Sequence, residues 1–290
     1  MAENNAGTSI DAQQPRISRA KTTLPLLIVV ALFIGVAYWT WHITWFGRAL
    51  SDQEISEYLK ETNKPNHVQH ALSSLESRIE ANDPSVKQWY PQIIAQADSP
   101  QPEIRLMAAW VMGQDNQSED FHRTLLKLLN DPYPQVRRNA ALGLVRFKDA
   151  SGRLEIVSML RPYDVQSPAS GVLSTPLQNE QPVGIGVTLA SIRQDNGQSV
   201  DVHSPVQGDV RSIVKEGSNV TAGQTIVVIG PDQTAVNDAL VALALIGEPE
   251  DLPYITPYIG GQQGMPSSVK QQAARAAEAI KSRQNSTQLN

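Results

Sequence analysis

The apolar positions of this chain begin with an uninterrupted run at residues 24–46, which contains no charged residue. A helix of that length rises about 34 Å at about 1.5 Å per residue, enough to cross a hydrocarbon core of about 30 Å. The second half of the run is rich in aromatic residues, which favour the lipid–water interface. The run therefore predicts a transmembrane helix over 23–46, and the alternative is a cleaved signal peptide.

The charges that flank this run predict its orientation. Arg16, Arg19 and Lys21 precede the run, whereas Arg48 follows it together with several acidic residues. Because cytoplasmic flanks are enriched in basic residues, residues 1–22 are expected to form a disordered cytoplasmic tail. The protein is then expected to be a single-pass component of the inner membrane, in contact with the lipid bilayer, with its soluble part in the periplasm.

Beyond this run, apolar residues recur every three or four positions, which is the spacing of one helix face. The segments 99–115 and 131–149 align at an offset of 32 residues, and a repeat of this length is typical of stacked helical pairs. The pattern predicts a mainly α fold with helical repeats over 51–160 and 234–282. A short disordered tail is expected over 283–290.

Between the two helical parts the helical period disappears, and prolines, glycines and serines become frequent. Asn196 and Gly197 stand between runs of alternating apolar residues, which is the strongest short signal for a β-hairpin. Further strands are expected at 210–214 and 225–229. These signals predict a small β-domain over 163–232, inserted in the turn of the fourth helical pair.

The helical copies share a set of residues that is most complete in one of them: Asp131, Pro132, Val136, Arg137, Asn139, Ala140, Ala141 and Leu144. This set resembles HEAT repeats, in the subgroup shared with phycobilin-lyase-like proteins. The resemblance implies that Asp131 and Arg137 form hydrogen bonds that tie successive repeats. In the preceding copy Arg105 holds the arginine position and Ser99 stands in place of the aspartate. An anion site at Arg137 and Arg138 is the functional alternative.

A second set of residues lies in the β-segment: Ser204, Pro205, Gly208, Val210, Ile213, Val214, Glu216, Gly217, Val220, Gly223, Gln224 and Ile229. Their spacing resembles the biotinyl/lipoyl-like barrel of membrane-fusion proteins, a small β-barrel sandwich. The resemblance implies that Gly208, Gly217 and Gly223 meet the backbone demands of tight turns. Carrier versions of this fold present a lysine at a hairpin tip, and residues 194–197 contain none. No covalent biotin or lipoate is therefore expected.

Composition narrows the classes of chemistry. The chain has no cysteine, which excludes disulfides, thiol catalysis and cysteine-ligated metals. Its net charge is −5, and residues 1–46 contribute +1, so the remainder carries −6. An acidic soluble part argues against a nucleic-acid partner, since phosphate binding needs a concentrated basic face.

Few residues are candidates for chemistry. His67 and His70 are spaced i, i+3 on a predicted helix and offer a metal site as the alternative to two exposed histidines. Trp89 and Trp110 are expected in the helical core or along a groove. No nucleophile elbow, phosphate loop or catalytic triad is evident. The sequence thus predicts no catalytic, cofactor-binding or metal-binding residues, no cofactor, and a protein that is not an enzyme.

The leading hypothesis is a membrane-anchored, non-catalytic scaffold that binds other subunits of a cell-envelope complex in respiration, transport or assembly. Helical repeats stacked in this way present long surfaces to other proteins. One alternative is a periplasmic adaptor of an efflux or secretion system, which the barrel resemblance suggests. The other is a bilin-lyase-like enzyme, against which the missing cysteines argue.

Overall fold

A computed structural model describes residues 29–36, 38, 50–262 and 264–288. The chain divides into two compact units, residues 1–50 and residues 51–290. In the first unit, the described residues 29–36 and 38 are helical. The second unit contains all of the elements described below.

The prediction of a transmembrane helix is wrong, and the fold class that included it is corrected accordingly. Among the described residues, no helix is both long enough and apolar enough to cross a membrane. The rest of the predicted span, at 23–28, 37 and 39–46, and the predicted tail at 1–22 lie outside the described residues.

The second unit is built mainly from α-helices. In chain order they are α1 (Asp52–Tyr58), α2 (Pro65–Glu80), α3 (Tyr90–Ala95), α4 (Pro102–Met112), α5 (Glu119–Leu128), α6 (Pro134–Arg146), α7 (Arg153–Ser158), α8 (Gln233–Ile246), α9 (Leu252–Gly260) and α10 (Ser267–Gln288). Short 3₁₀ turns at Pro84–Trp89, Gln96–Asp98 and Pro249–Asp251 complete the helical part. Proline in the first turn of α2, α4 and α6 fits helix starts, where its missing N–H is not needed.

The helices pack as consecutive pairs, and the second helix of each pair touches the second helix of the next. Contacts run from α2 to α4, then to α6, α8 and α10. Small residues permit this close approach. A Cβ atom added to Gly113, which follows the last residue of α4, would lie 2.9 Å from the Cα of Gly143 on α6. The second helices thus form one continuous layer across the unit.

The last helix continues further than the sequence analysis expects. α10 runs to Gln288, across the positions 283–288 that were expected to begin a disordered tail. Arg283 explains the continuation, because its guanidinium donates to the carbonyl oxygens of Ala244 and Gly247 at the end of α8. These bonds satisfy carbonyls that have no partner within α8 itself.

The strands lie between α7 and α8. They are β1 (Tyr163–Gln166), β2 (Gly171–Ser174), β3 (Pro182–Val183), β4 (Thr188–Arg193), β5 (Ser199–His203), β6 (Gly208–Ile213), β7 (Asn219–Val220) and β8 (Thr225–Pro231). They form two four-stranded antiparallel sheets with the orders β1-β8-β6-β3 and β5-β4-β2-β7. The hairpin of β4 and β5 turns at Asn196 and Gly197, and Gly197 has a φ of 83°. We call residues 163–231 the β-module.

The β-module and the helices have separate cores. The module's apolar cluster is drawn from residues 165–229, including Leu173, Leu189 and Ile229. The neighbouring helical cluster joins residues 141–160 to residues 236–280 across the insertion. The helices before and after the β-module therefore share one core that the module does not supply.

Replacing the β-module with a short Gly/Ser linker is expected to leave the helical core folded. The ends of the module are adjacent, because Tyr163 pairs with Ile229 across antiparallel strands. Closing a different loop length changes the free energy of unfolding by only about 0.6 kcal/mol per doubling of length. The replacement should span 163–231 and keep Asp232, whose side chain caps α8. Circular dichroism and thermal melting of the full chain and the replaced chain provide the measurement.

Candidate functional site

The arginine that the sequence analysis singles out in the second pair joins that pair to the third. Arg105 lies near the start of α4, and its Nε and Nη2 donate to the two carboxylate oxygens of Asp131 at 2.6 and 3.0 Å. Both side chains are buried. Burial alone would raise the pKa of Asp131, but hydrogen bonds from Arg105 and the Tyr133 N–H outweigh burial and lower it. This ion pair ties two successive helical pairs.

Arg137 repeats the arrangement one pair later, with a different carboxylate. Its Nη1 donates to the backbone oxygen of Asp131 at 2.9 Å, as Arg105 Nη1 does to Ser99. Its Nε donates to Glu155 of α7, also at 2.9 Å. The Asp131 carboxylate thus accepts hydrogen bonds from Arg105, whereas Arg137 donates only to the main-chain oxygen of Asp131. The tie implied by the HEAT resemblance runs from each arginine to the carboxylate of the next pair.

Arg138 is buried beside this ladder. Its Nε lies 3.8 Å from the nearer Glu155 oxygen and has no hydrogen-bond partner among the described residues. Burial lowers its pKa, and Glu155 opposes that effect. Glu155 lies against both arginines, so an anion bound at Arg137 and Arg138 would meet a carboxylate that is already there.

The two tryptophans have different surroundings. Trp89 is buried and donates from Nε1 to the Ser56 hydroxyl at 3.0 Å, so it belongs to the helical core. Trp110 on α4 is 39 % exposed, and its Nε1 donates to Glu76 of α2. Trp110 therefore stands at the surface of the layer of second helices.

Trp110 lines the open cavity that α4, α6 and α8 form between them. The cavity measures about 260 Å³. Its lining comprises Trp110, Gly113, Gln114, Asn139, Leu142, Gly143, Val145, Arg146, Asp238, Val241, Ala242 and Leu245. We call it the α4–α6–α8 groove. Two apolar side chains of α8 stand exposed in it, Val241 at 44 % and Leu245 at 64 %.

The groove also contains two charged side chains of opposite sign. Arg146 donates from Nη1 to the side-chain oxygen of Gln114. Asp238 is half-buried, and burial raises its pKa, opposed by Asn237 and reinforced by the charge of Asp232. Among the described residues, no basic side chain forms a salt bridge with Asp238.

Residues 90–161 match the family model for HEAT repeats. The matched segment contains α3 to α7 and the Arg105–Asp131 tie, and it supports a protein built on HEAT repeats. HEAT repeats suggest a protein-interaction role. No curated protein matches the chain. The narrower likeness to phycobilin-lyase-like proteins and the barrel resemblance stay predictions.

Outside the HEAT-repeat match, the residues singled out in the β-module are structural. Gly217 and Gly223 have φ values of 77° and 82°, which favour glycine. Gly208 has no room for a side chain, since a Cβ there would lie 1.9 Å from the Gly230 carbonyl oxygen. Pro205 is half-buried in the connection between β5 and β6. The three glycines thus meet backbone constraints of turns and of a close contact between strands.

The histidine pair of the first helical pair is engaged locally. The His67 ring stacks on Tyr58 with centroids 4.2 Å apart, and its Nδ1 contacts the Glu61 carboxylate. Over the described part of the chain, no group of three or more His, Cys, Asp or Glu side chains is placed to hold a metal ion.

The sequence analysis predicts Trp110 in the core or along a groove, but it does not identify Asp238, Val241 and Leu245 as residues that share a surface. A signal exists nevertheless: α8 is apolar on almost every side from Val236 to Ile246. A helix of that kind is ordinarily covered all round. Here one of its apolar faces remains open.

Proposed function

We propose that this protein is a non-catalytic scaffold that binds another protein in the α4–α6–α8 groove. The observation that carries the proposal is the exposure of Trp110, Val241 and Leu245 together along a concave surface. Apolar side chains grouped in this way are ordinarily covered by a partner. Stacked helical repeats are well suited to present such a surface.

One histidine of the described residues has two carboxylate neighbours, and its geometry fits a structural role. His122 of α5 lies 2.7 Å from Asp149 through Nε2, and its Nδ1 lies 3.7 Å from Glu119. The ring also stacks on Phe147. A catalytic histidine needs one nitrogen directed at a nucleophile or substrate, whereas both nitrogens of His122 face carboxylates. This arrangement joins α5 to the turn before α7.

The class of partner protein is a prediction from the sequence. We propose that the partners are subunits of a cell-envelope complex in respiration, transport or assembly. The periplasmic adaptor remains the second candidate, and the two sheets of the β-module with their turn glycines support it.

Site-specific photo-crosslinking in the full chain tests the scaffold proposal. A photoreactive amino acid at Leu245, in the groove, is expected to give discrete adducts with another protein in cells that make this chain. The matched control is the same amino acid at Leu154 of α7, which is 74 % exposed and outside the groove lining. The adducts should disappear when Val241→Asp is added, because a charge at that position disrupts apolar contact.

Two results would contradict the proposal. One is an identical set of adducts from positions 245 and 154. The other is a set of adducts at position 245 that persists with Val241→Asp. Thermal melting of each variant checks that the helices remain folded, as expected for substitutions at exposed positions.

A further inference from the structure

Asp238 shares one face of α8 with the exposed apolar residues of the groove. Positions 238, 241, 242 and 245 follow the spacing of one helix face, i, i+3, i+4 and i+7. All four line the cavity. A side chain lying against Val241 and Leu245 is therefore within one or two helix turns of the Asp238 carboxylate.

Among the described ion pairs, none includes the Asp238 carboxylate. Asp232, at the start of α8, adds negative charge near it. Glu76 is outside the groove lining and accepts a hydrogen bond from Trp110. Arg146, the basic residue of the lining, donates to Gln114. The α8 wall of the groove thus carries a carboxylate beside apolar side chains, whereas the basic residue of the lining, Arg146, lies on α6.

We propose that the α4–α6–α8 groove takes a protein segment in which one lysine or arginine pairs with Asp238 and neighbouring apolar side chains cover Val241, Leu245 and Trp110. This inference rests on the proposed scaffold function and specifies its partner. A half-buried carboxylate loses hydration when a partner covers it, so a cation in that partner is strongly favoured over a neutral or acidic group. The apolar contacts supply most of the buried area, and the charge pair favours a basic segment over a neutral or acidic one.

The test uses a displayed library of random 12-residue peptides, selected on the full chain. Peptides that bind in the groove are those whose binding is lost with Leu245→Asp. These peptides are expected to share a basic residue flanked by aliphatic or aromatic residues. One of them is then synthesised, together with a version in which norleucine replaces the basic residue, and both dissociation constants are measured.

Asp238→Asn is expected to weaken the basic peptide about tenfold, a modest value for a partly desolvated charge pair. The same substitution should leave the norleucine peptide unchanged, because no charge pair is then lost. Asp195→Asn, at the exposed tip of the β4–β5 hairpin, is the matched control and should change neither constant. The loss with Asp238→Asn should shrink as salt concentration rises.

The outcomes separate the inference from the function on which it rests. Groove-dependent peptides without a basic residue, or with equal affinity for the chain and for Asp238→Asn, overturn the inference and leave the scaffold function standing. A selection that yields no peptide sensitive to Leu245→Asp overturns both.

Discussion

Ala140→Asp is expected to lower the free energy of unfolding of the helical unit by about 3 kcal/mol or more, since it buries a charge without a partner. Ala140 is fully buried on α6, which packs against α4 on one side and α5 on another. The carboxylate would have to remain unsolvated or force these helices apart. Urea unfolding of the full chain, followed by circular dichroism, measures the effect.

Leu154→Asp is the matched control for this substitution. It also introduces an aspartate in place of an apolar residue, but at an exposed position in the first turn of α7. An acidic residue near a helix start is neutral or mildly favourable, so the change should stay within about 0.5 kcal/mol. Equal losses in the two variants would contradict the packing of α6 against α4 and α5.

The replacement of the β-module has its own contradicting outcome. If the helices melt as fully without the β-module as they do with Ala140→Asp, the module and the helices share one core.

Asp131→Asn is expected to lower the free energy of unfolding by about 2–4 kcal/mol, because it leaves the buried guanidinium of Arg105 without its counter-charge. The asparagine retains one oxygen that can accept from Arg105 Nη2 and from the Tyr133 N–H, which keeps the loss below that of a full deletion. The exposed pair of Asp98 and Lys127 provides the control. Asp98→Asn should change the free energy of unfolding by no more than about 0.5 kcal/mol.

The difference between the wild type and Asp131→Asn should also depend on pH. The pKa of Asp131 is lowered in the folded state from a reference value of 3.8. A carboxyl group with a depressed folded pKa stabilises the protein fully above its unfolded pKa, and the stabilisation is lost as pH falls through the folded pKa. The two unfolding free energies should therefore differ by a constant amount from pH 5 to pH 7 and converge below about pH 3.8. A difference that persists at the lowest pH would argue against a charge-based tie.

Local patterns predict most of the elements. The copies at 99–115 and 131–149 place arginine and paired alanines at equivalent positions, and the structure places both in second helices, α4 and α6. The Asn196-Gly197 signal marks the hairpin of β4 and β5, because turns of that kind depend on two adjacent residues. The apolar run at 24–46 shows the limit of such reasoning, since hydropathy and length indicate a membrane span that no described helix provides.

By itself the sequence determined the helical repeat and the inserted strands, because helix period and turn chemistry depend on residues close together in the chain. Only the tertiary structure decided which carboxylate each arginine meets, since Arg105 reaches Asp131 on the next pair and Arg137 reaches Glu155. It also decided the groove. Asp238 and Trp110 line the same groove although the whole β-module lies between them in the chain. Their proximity follows from the packing of α6 against α4 and α8.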